Sequence, residues 1–248
     1  MPEYQADTYG ERWAAIYDDW VTRYAATPDG EKVADRLAEL VGGGRALELA
    51  IGTGRVALPL AARGVRVEGI DASPAMVDRL RAKPGGAGIP VTIGDFADVG
   101  VDGTFRLVFV VFNTLFALLE QEDQIRCFAN VARRLDDEGV FVIEAFVPDL
   151  ARFDRGQRLE TIAVDIDAMR LAGSRHSPAA QRIDTLLVHI DGGDTQTYPV
   201  RLRYAWPSEL DLMARLAGLR LRERWGGWDR EPFTDSSPRH VSVYERDG

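Results

Sequence analysis

Apolar and polar residues alternate along the middle of the chain in a way that predicts a parallel sheet covered by helices. Between residues 46 and 146, short apolar runs alternate with amphipathic stretches of helical length, and glycine or polar turns separate them. This alternation is typical of a doubly wound α/β fold. The predicted strands are Ala46–Ala50, Val65–Ile70, Pro90–Ile93, Phe105–Phe112 and Val140–Phe146, with helices Val56–Arg63, Pro74–Lys83 and Asp123–Leu135 between them.

The residues before this alternation predict an N-terminal helical region, residues 1–45. A first helix would carry an aromatic stripe at three- and four-residue spacing. The stripe consists of Trp13, Tyr17, Trp20 and Tyr24, with Ile16 on the same face. A second predicted helix, Asp29–Val41, ends at the glycine run 42–44, which is a helix stop signal.

Beyond residue 146 the pattern changes to strict alternation, which predicts a small antiparallel sheet inserted at residues 151–205. Three segments, near 160–171, 181–191 and 196–205, alternate in this way, and Gly192–Gly193 is a hairpin signal. In the last segment one face carries Tyr198, Val200, Leu202 and Tyr204, and the other carries Arg201 and Arg203. The inserted sheet would cover a pocket of the main domain or pair two protomers in a homodimer. Exposure of the aromatic face would favour the homodimer.

The C-terminal residues complete the main sheet. A helix at Ser208–Ala217 is stopped by Gly218, and strands Leu219–Arg224 and His240–Glu245 follow. We therefore expect residues 46–150 and 206–248 to form one Rossmann-like domain. Its seven-stranded sheet would be mostly parallel, with an antiparallel closing strand.

Composition and charge narrow the classes of function. The chain of 248 residues has a formal net charge of −9, which disfavours nucleic acid as a partner because phosphate binding needs clustered basic residues. The N-terminus lacks a signal-peptide pattern, and the longest apolar run, 107–119, is too short to span a bilayer. The single cysteine, Cys127, excludes an internal disulfide and a cysteine metal cluster, so no metal is expected. We expect a cytoplasmic protein without a membrane partner.

A glycine turn after the first strand marks a candidate nucleotide site. Gly52 and Gly54 would let the backbone approach a ligand and direct helix N–H groups at it, although G-x-G alone is weak support. Polar or aromatic side chains interrupt or end the first four strands as well, and ligands bind at the carboxyl ends of such strands. These side chains are Glu48, Asp71, Asp95, Phe96, Phe112 and Asn113.

The acidic members of this set suit the parts of a nucleotide-linked amino acid. A carboxylate inside the apolar strand LELAI, Glu48, needs a partner such as an ammonium group or a linked water. Asp71 could accept both ribose hydroxyls, and Asp95 could accept an adenine amino proton while Phe96 contacts the ring. An alternative for Asp71 is a helix N-cap, since Ser73–Pro74 follows it.

The motifs ALELAIGTG, GIDAS and GDF, with the closing hairpin, resemble the class I S-adenosylmethionine-dependent methyltransferases. The resemblance runs from YGERWAAIYDDW to HVSVYER, and Ala50 replaces the first glycine of the family's G-x-G-x-G pattern. It implies S-adenosylmethionine as cofactor, S-adenosylhomocysteine as product, and the aromatic helix as a lid. The cofactor residues that it implies are Tyr17, Glu48, Ala50, Gly52, Gly54, Asp71, Ala72, Met76, Asp95, Phe96, Phe112 and Asn113.

Two rival functions depend on the same residues. Gly52, Gly54 and Ala57 also satisfy the G-x-G-x-x-A pattern of NAD(P)-dependent oxidoreductases. Glu48 and the antiparallel closing strands favour the methyltransferase over that alternative. A non-catalytic regulatory protein that binds S-adenosylmethionine would use the same side chains.

The acceptor is expected to be a small molecule, such as a secondary metabolite, methylated on O or N by in-line displacement. After the fourth strand the chain reads Asn113-Thr114-Leu115-Phe116, which lacks the clamp for amino groups on flipped bases. The loop 225–239 should emerge at the cofactor edge, with His240 as a candidate base, although a surface loop and a structural histidine are the alternatives. The predicted acceptor residues are Phe116, Phe146, Trp225, Trp228, Asp229 and Phe233.

Overall fold

The computed structural model describes residue 5, residues 7–25 and residues 27–248. Its helices are α1 Thr8–Trp13, α2 Tyr17–Tyr24, α3 Gly30–Val41, α4 Ala57–Ala62, α5 Pro74–Arg81, α6 Gln121–Arg134 and α7 Pro207–Leu216. Its strands are β1 Arg45–Leu49, β2 Arg66–Asp71, β3 Val91–Ile93, β4 Phe105–Val110, β5 Leu135–Phe146, β6 Gln157–Val164, β7 Ala168–Ser177, β8 Arg182–Asp191, β9 Asp194–Arg203, β10 Leu219–Trp225 and β11 Arg239–Arg246. Short 3₁₀ turns lie at Gly86–Gly88, Thr114–Ala117 and Pro178–Ala180.

The central sheet has seven strands in the order β10-β11-β5-β4-β1-β2-β3. Strand β11 is antiparallel to both of its neighbours, and the other pairs are parallel. The predicted doubly wound sheet with an antiparallel closing strand is thereby confirmed. Strand order reverses between β4 and β1, and a crevice opens at their carboxyl ends because the connections leave to opposite faces there.

The two faces of the central sheet carry separate apolar clusters. Helices α3 and α4 cover one face, where Leu37 and Leu60 belong to the same buried apolar cluster as Val142 and Val243. Helices α6 and α7 cover the other face. The middle strand β4 is buried from Leu107 to Val110, which is why its sequence reads as a continuous apolar run.

The inserted sheet has four strands, β6-β7-β8-β9, where the sequence predicted three segments. The predicted segment 160–171 is in fact the end of β6, a turn and the start of β7. Asp165 N donates to Ala168 O at 2.8 Å across this turn. The residues between β6 and β7, Asp165-Ile166-Asp167, include neither glycine nor proline, so the alternating pattern shows no interruption. Pro199 is tolerated in β9 because β9 is an edge strand.

The aromatic face of β9 is turned toward the main domain. Tyr198 is 7% exposed and Tyr204 is 1% exposed. Tyr198 packs with Trp13 of α1, at 5.0 Å between ring centroids. The condition that would have favoured pairing of two protomers through this face, its exposure to solvent, is therefore not met.

The N-terminal aromatic stripe lies on two short helices, where the sequence predicted one. Helix α1 ends at Trp13, a turn covers residues 14–16, and α2 begins at Tyr17. Gly10 allows α1 to lie against α5, since a Cβ there would be 2.3 Å from the Cβ of Ser73. Among the described residues, no helix has the length and apolar character required to cross a membrane.

Candidate functional site

A cavity of ≈ 290 Å³ lies at the carboxyl edge of the central sheet. Its floor comes from the turn after β1 and the ends of β2 and β4, and its roof comes from α1, α2 and the inserted sheet. Its walls are Tyr9, Gly10, Trp13, Tyr17, Trp20, Ala50, Gly52, Asp71, Ala72, Met76, Asp95, Phe96, Phe112, Asn113, Thr114, Ala117, Leu118, Leu187, Val200, Arg201 and Leu202. Ten of the twelve predicted cofactor residues are in this set, and Glu48 and Gly54 are not.

Three of the seven non-glycine residues with positive φ in the described part of the chain lie on the cavity floor. Ala50, Phe112 and Asn113 have φ values of 55°, 57° and 63°, in the left-handed region. Each such residue costs about 1–3 kcal/mol unless its surroundings stabilise it, and such residues cluster at functional sites. Ala50 stands where the family has glycine, so its methyl group adds strain at a position that favours glycine. Gly54 acts through packing, because a Cβ there would lie 2.3 Å from Leu80 Cδ1.

Asp71 at the end of β2 is held by two backbone donors. Gly52 N donates to Asp71 Oδ2 at 2.7 Å, and Ser73 N donates to Asp71 Oδ1 at 2.9 Å. Burial raises the pKa of Asp71, and these two N–H groups partly offset that rise. The N-cap of α5 is Ser73, whose side chain accepts from Met76 N. Asp71 is therefore left on the cavity wall with a function other than capping.

Glu48 in β1 is buried beneath the cavity floor with an unsatisfied oxygen. It is 4% exposed, and its Oε2 has no hydrogen-bond partner among the described residues. The pKa of Glu48 is raised to about 8. Burial is the main cause of this rise, and the charge of Arg55 partly opposes it. A buried carboxylate oxygen without a donor is costly, so this position fits the ammonium end of a bound ligand or a water linked to it.

Arg55 interacts with two residues of the cavity wall, although the sequence analysis did not single it out. Its guanidinium lies 5.3 Å from the ring centroid of Phe112, donates to Pro28 O at 3.0 Å and is close enough to the Tyr17 hydroxyl to affect its pKa. Burial raises the pKa of Tyr17, and Arg55 counteracts this rise. The available signal was a basic residue directly after the G-x-G turn, where the first N–H groups of the following helix attract anions. Arg55 and Tyr17 thus suit a ligand carboxylate.

The ends of β3 and β4 supply the rest of the floor. Asp95 Oδ1 accepts from Ala97 N at 2.9 Å, and Phe96 lies beside it on the wall. The side chain of Asn113 accepts from Phe146 N at 2.7 Å, which ties the end of β4 to β5. This bond orients Asn113 over the cavity and explains how its left-handed backbone is held.

The lid formed by α1 and α2 is hydrogen-bonded to the cofactor edge. Glu11 accepts from the Ser73 hydroxyl at 2.8 Å, and Asp18 accepts from the Thr53 hydroxyl at 2.6 Å. Lys83 adds an ion pair to Asp18 at 2.8 Å. These contacts hold the aromatic rings of the lid over the cavity.

The lid also packs on the inserted sheet through His189. The ring of Trp20 stacks on His189 at 4.8 Å between centroids, and Tyr198 lies on its other side at 4.7 Å. Desolvation lowers the pKa of His189, the charge of Arg170 lowers it further, and Asp191 opposes this. The neutral imidazole is therefore the form that this contact stabilises.

Acid should loosen the contact between lid and sheet. Because the pKa of His189 in the fold lies below its ordinary 6.5, its contribution to stability is complete above that pH and is lost as pH falls. His189→Phe keeps the stacking surface and does not titrate. We expect the melting temperature of His189→Phe minus that of the wild type to become more positive as the pH is lowered from 7.5 to 5.5. His176→Phe is the control. An equal pH dependence in wild type and His189→Phe would contradict this.

The structure places none of the six predicted acceptor residues on the cavity wall. Phe116 and Phe146 pack edge to face at 5.1 Å within the core. Trp225 and Trp228 are buried on the α3 face of the sheet. The remaining two, Asp229 and Phe233, lie elsewhere in the loop 225–239.

Helix α3 holds the loop 225–239 away from the cavity. Lys32 pairs with Asp229 at 2.8 Å, and Arg36 donates to Trp228 O at 3.2 Å. Two tryptophans gain burial against α3 without any ligand, and this explains why large aromatics in this loop did not indicate a binding wall. The cavity wall on the side of the inserted sheet is formed instead by Leu187 of β8, by Val200, Arg201 and Leu202 of β9, and by Thr114, Ala117 and Leu118.

His240 lies inside the core, which disfavours the predicted role as a base. It is 0% exposed, is absent from the cavity wall, and shares a hydrogen bond of 2.8 Å with the Ser242 hydroxyl through Nδ1. Desolvation lowers the pKa of His240 to about 3, with the charge of Arg224 adding to this. A base with so low a pKa would be poorly matched to neutral pH.

We expect His240→Ala to lower stability and to leave chemistry nearly intact. Removing a fully buried ring should cost about 2–4 kcal/mol of unfolding free energy. Turnover and S-adenosylhomocysteine affinity of the folded variant should stay within a few-fold of the wild type. Denaturant unfolding and steady-state kinetics measure the two effects, with His240→Asn as a smaller change. A large loss of turnover with intact cofactor binding would restore His240 as the base.

The fold and the site together define a nucleotide-binding α/β protein with acidic residues at successive strand ends and a hydrogen-bonded lid. Residues 46–139 match the family model described as a methyltransferase domain. The chain is 32% identical over 204 residues to the cypemycin N-terminal methyltransferase of a Streptomyces species, covering 81% of this chain and 82% of that one. The chain therefore belongs to the class I S-adenosylmethionine-dependent methyltransferases.

Solved structures agree with this assignment. The CcbJ methyltransferase from Streptomyces caelestis superposes with a TM-score of 0.93 at 39% identity, covering 99% of this chain and 100% of that chain. CalS10, a SAM-bound amino pentose methyltransferase from Micromonospora echinaspora, has a TM-score of 0.72 at 21% identity, with 93% and 96% covered, and shows the shared fold. The cofactor is S-adenosylmethionine, and the NAD(P) and non-catalytic alternatives are set aside.

Proposed function

We propose that this enzyme methylates a neutral amine nitrogen of a small-molecule acceptor. The observation that carries the proposal is the set of titratable side chains on the cavity wall. It consists of Tyr9, Tyr17, Asp71, Asp95 and Arg201. An amine that has lost its proton to water carries its own lone pair and needs no base from this set, whereas a hydroxyl acceptor would need one to become a good nucleophile.

The titratable groups nearest the cofactor have other tasks. Asp71 accepts backbone hydrogen bonds and suits the ribose, and Asp95 suits the adenine. Burial raises the pKa of Tyr17, so its hydroxyl stays protonated at neutral pH and is a poor base. These side chains bind and orient the cofactor.

The chain's contribution to catalysis is position and exclusion of water. S-adenosylmethionine, when bound, supplies an electrophilic methyl group. Trp20, Leu187 and Leu202 surround the acceptor side of the cavity with apolar surface, which favours an uncharged amine over its ammonium form. Asn113 lies between the two sides of the cavity and offers its amide for orienting the acceptor. Alignment of nucleophile and methyl group can by itself supply several kcal/mol of barrier reduction.

The names of related proteins support a nitrogen acceptor. The cypemycin relative is named for methylation of an N-terminus. KedS8 from a Streptoalloteichus species, a sugar N-methyltransferase, shares the fold at 20% identity and a TM-score of 0.69. These names concern those proteins, and they make amines the first compounds to test here.

The test is methyl transfer from labelled S-adenosylmethionine to matched amines and alcohols, with products identified by mass spectrometry. We expect transfer to secondary or primary amines and a rate that rises with pH as the acceptor loses its proton. Calorimetry should show S-adenosylhomocysteine binding and no NAD binding. Transfer to alcohols or phenols with no transfer to any amine would refute the nitrogen proposal.

A further inference from the structure

A second hollow crosses the inserted sheet on its outer side and meets the cavity at β9. It is an open groove of ≈ 990 Å³ that touches all four strands of that sheet and the turn before β6. Val200 and Arg201 line both the cavity and the groove. A molecule bound with its reacting atom in the cavity could therefore extend around the edge strand into the groove.

The groove is cationic, although the protein as a whole is acidic. Five arginines and two aspartates line it, in a chain whose net charge is −9. The arginines are Arg152, Arg155, Arg158, Arg175 and Arg201. Such a local excess of positive charge attracts anions, and guanidinium groups bind carboxylates and phosphates through paired hydrogen bonds.

Acidic side chains offset these charges only in part, and Arg158 pairs with Glu160 at 2.8 Å. Asp184 is shared by two arginines, Arg175 at 2.7 Å and Arg201 at 3.5 Å. Desolvation and the neighbouring charge of Arg158 lower the pKa of Arg152, and the charges of Glu160 and Asp149 oppose this only in part. Crowded cations of this kind are stabilised when an anion binds between them.

Part of the groove surface is apolar. Leu159 and Leu186 are 76% and 44% exposed and stand among the arginines. Pro199 of β9 and Gly173 of β7 complete this surface. An amphiphilic ligand with an apolar body and an acidic end would cover the exposed leucines and reach the guanidinium groups in one pose.

We infer that the groove is an acceptor subsite that binds an anionic group, carboxylate or phosphate, on the far side of the acceptor from the methylated atom. Arg201 is the specificity-determining residue, because it lies at the junction of cavity and groove. Arg158 and Arg175 extend the site across the sheet. This inference rests on the proposed function, in that it names the class of acceptor.

Kinetics with matched acceptors test the inference. The probes are long-chain ω-amino carboxylic acids against their primary amides, and long-chain ω-aminoalkyl phosphates against the corresponding amino alcohols, each with labelled S-adenosylmethionine. We expect the anionic member of a pair to have the higher kcat/KM, and Arg201→Gln to lower the ratio of anionic to neutral substrate about tenfold, the effect of losing one charged hydrogen bond. Arg220→Gln is the matched control, since Arg220 pairs with Glu245 at the far edge of the central sheet. Equal kcat/KM within the pairs, or a ratio unchanged in Arg201→Gln, overturns the inference.

A binding measurement separates this inference from the proposed function. Citrate and pyrophosphate are titrated into the protein saturated with S-adenosylhomocysteine, at constant ionic strength. We expect binding that weakens about tenfold in Arg201→Gln and in Arg158→Gln and persists in Arg220→Gln. The stronger of the two ligands identifies carboxylate or phosphate as the natural group. Thermal melting of each variant confirms that it is folded.

The other possible results of the binding and transfer experiments distinguish the anion subsite from the proposed nitrogen acceptor. Binding of citrate or pyrophosphate that depends on Arg201, together with methyl transfer to alcohols or phenols and to no amine, supports the anion subsite and refutes the proposed nitrogen acceptor. No binding of either anion, or binding that is indifferent to the arginine substitutions, overturns the subsite. Polyglutamate is titrated in the same way. If it binds and neither small anion does, the subsite is overturned, because the groove would then dock an acidic macromolecule.

Discussion

Replacing Glu48 with glutamine should stabilise the cofactor-free protein at pH 8 and weaken its binding of S-adenosylmethionine. The buried carboxylate has an unsatisfied oxygen, and burial raises its pKa from 4.5 to about 8. Between these two pH values the folded state binds more protons than the unfolded state. The unfolding free energy of the wild type therefore falls as pH rises through this window.

The glutamine variant lacks this titration, so its advantage over the wild type should grow with pH. We expect almost no difference near pH 4.5 and a difference on the order of a few kcal/mol near pH 8. Urea unfolding of both proteins without cofactor, at pH 5 and pH 8, measures it. Glu68→Gln is the control, because Glu68 is paired with Arg45 in the neighbouring strands and should gain nothing. Equal unfolding free energies for Glu48→Gln and the wild type at pH 8 would contradict the prediction.

Cofactor binding should show the opposite effect of the same carboxylate. A ligand ammonium near Glu48 favours the charged form, so binding lowers its pKa and releases a proton. Affinity of the wild type should rise with pH from about pH 5.5 to pH 7.5, a range in which an α-amino group stays largely protonated. Titration of S-adenosylhomocysteine in buffers of different ionisation enthalpy counts the released protons. In Glu48→Gln this release should disappear and affinity should fall; proton release equal to that of the wild type would remove Glu48 from the site.

Replacing Asp71 with alanine should weaken cofactor binding by about 1–3 kcal/mol or more, through the loss of a charged acceptor. The substitution also removes the partner of Gly52 N and Ser73 N, which hold the turn in place. Asp71→Asn retains one carbonyl oxygen and should have a smaller effect. Asp98→Ala is the control, since Asp98 pairs with Arg126 and is absent from the cavity wall.

A ligand without the ribose 2′-hydroxyl separates direct binding from loosening of the turn. If Asp71 accepts from the ribose, the wild type should prefer S-adenosylhomocysteine over its 2′-deoxy analogue, and Asp71→Ala should lose that preference. Calorimetry of both ligands with both proteins gives the coupling free energy between Asp71 and the 2′-hydroxyl. Retention of the full preference by Asp71→Ala would show that the residue acts only on the turn.

The position of the candidate cofactor residues at one edge of the sheet could be predicted from the sequence because they occupy strand ends. Asp71, Asp95 and Asn113 are far apart in the chain, yet parallel strands bring their carboxyl ends to one edge. Arg55 escaped the analysis because a lone arginine after a turn is common. Only its contacts with Tyr17 and Phe112 identify it.

The acceptor side could not be predicted in the same way. The aromatic loop at 225–239 and the alternating pattern of the inserted sheet were both compatible with a binding wall. Burial against α3 holds the loop, while contact with Trp13 and Trp20 holds the sheet over the cavity. Both outcomes depend on competing apolar contacts between segments distant in the chain, and local patterning carries no record of that competition.

The sequence by itself determined the doubly wound sheet, the place of the glycine turn and the acids that surround it. Local periodicity specifies strands and helices, and the geometry of a parallel sheet then places their ends. Only the tertiary structure decided that Ser73 caps α5, that His240 is buried, and that Arg201 stands between cavity and groove. Each of these depends on which surfaces meet when the elements pack, and packing is set by the whole set of buried contacts.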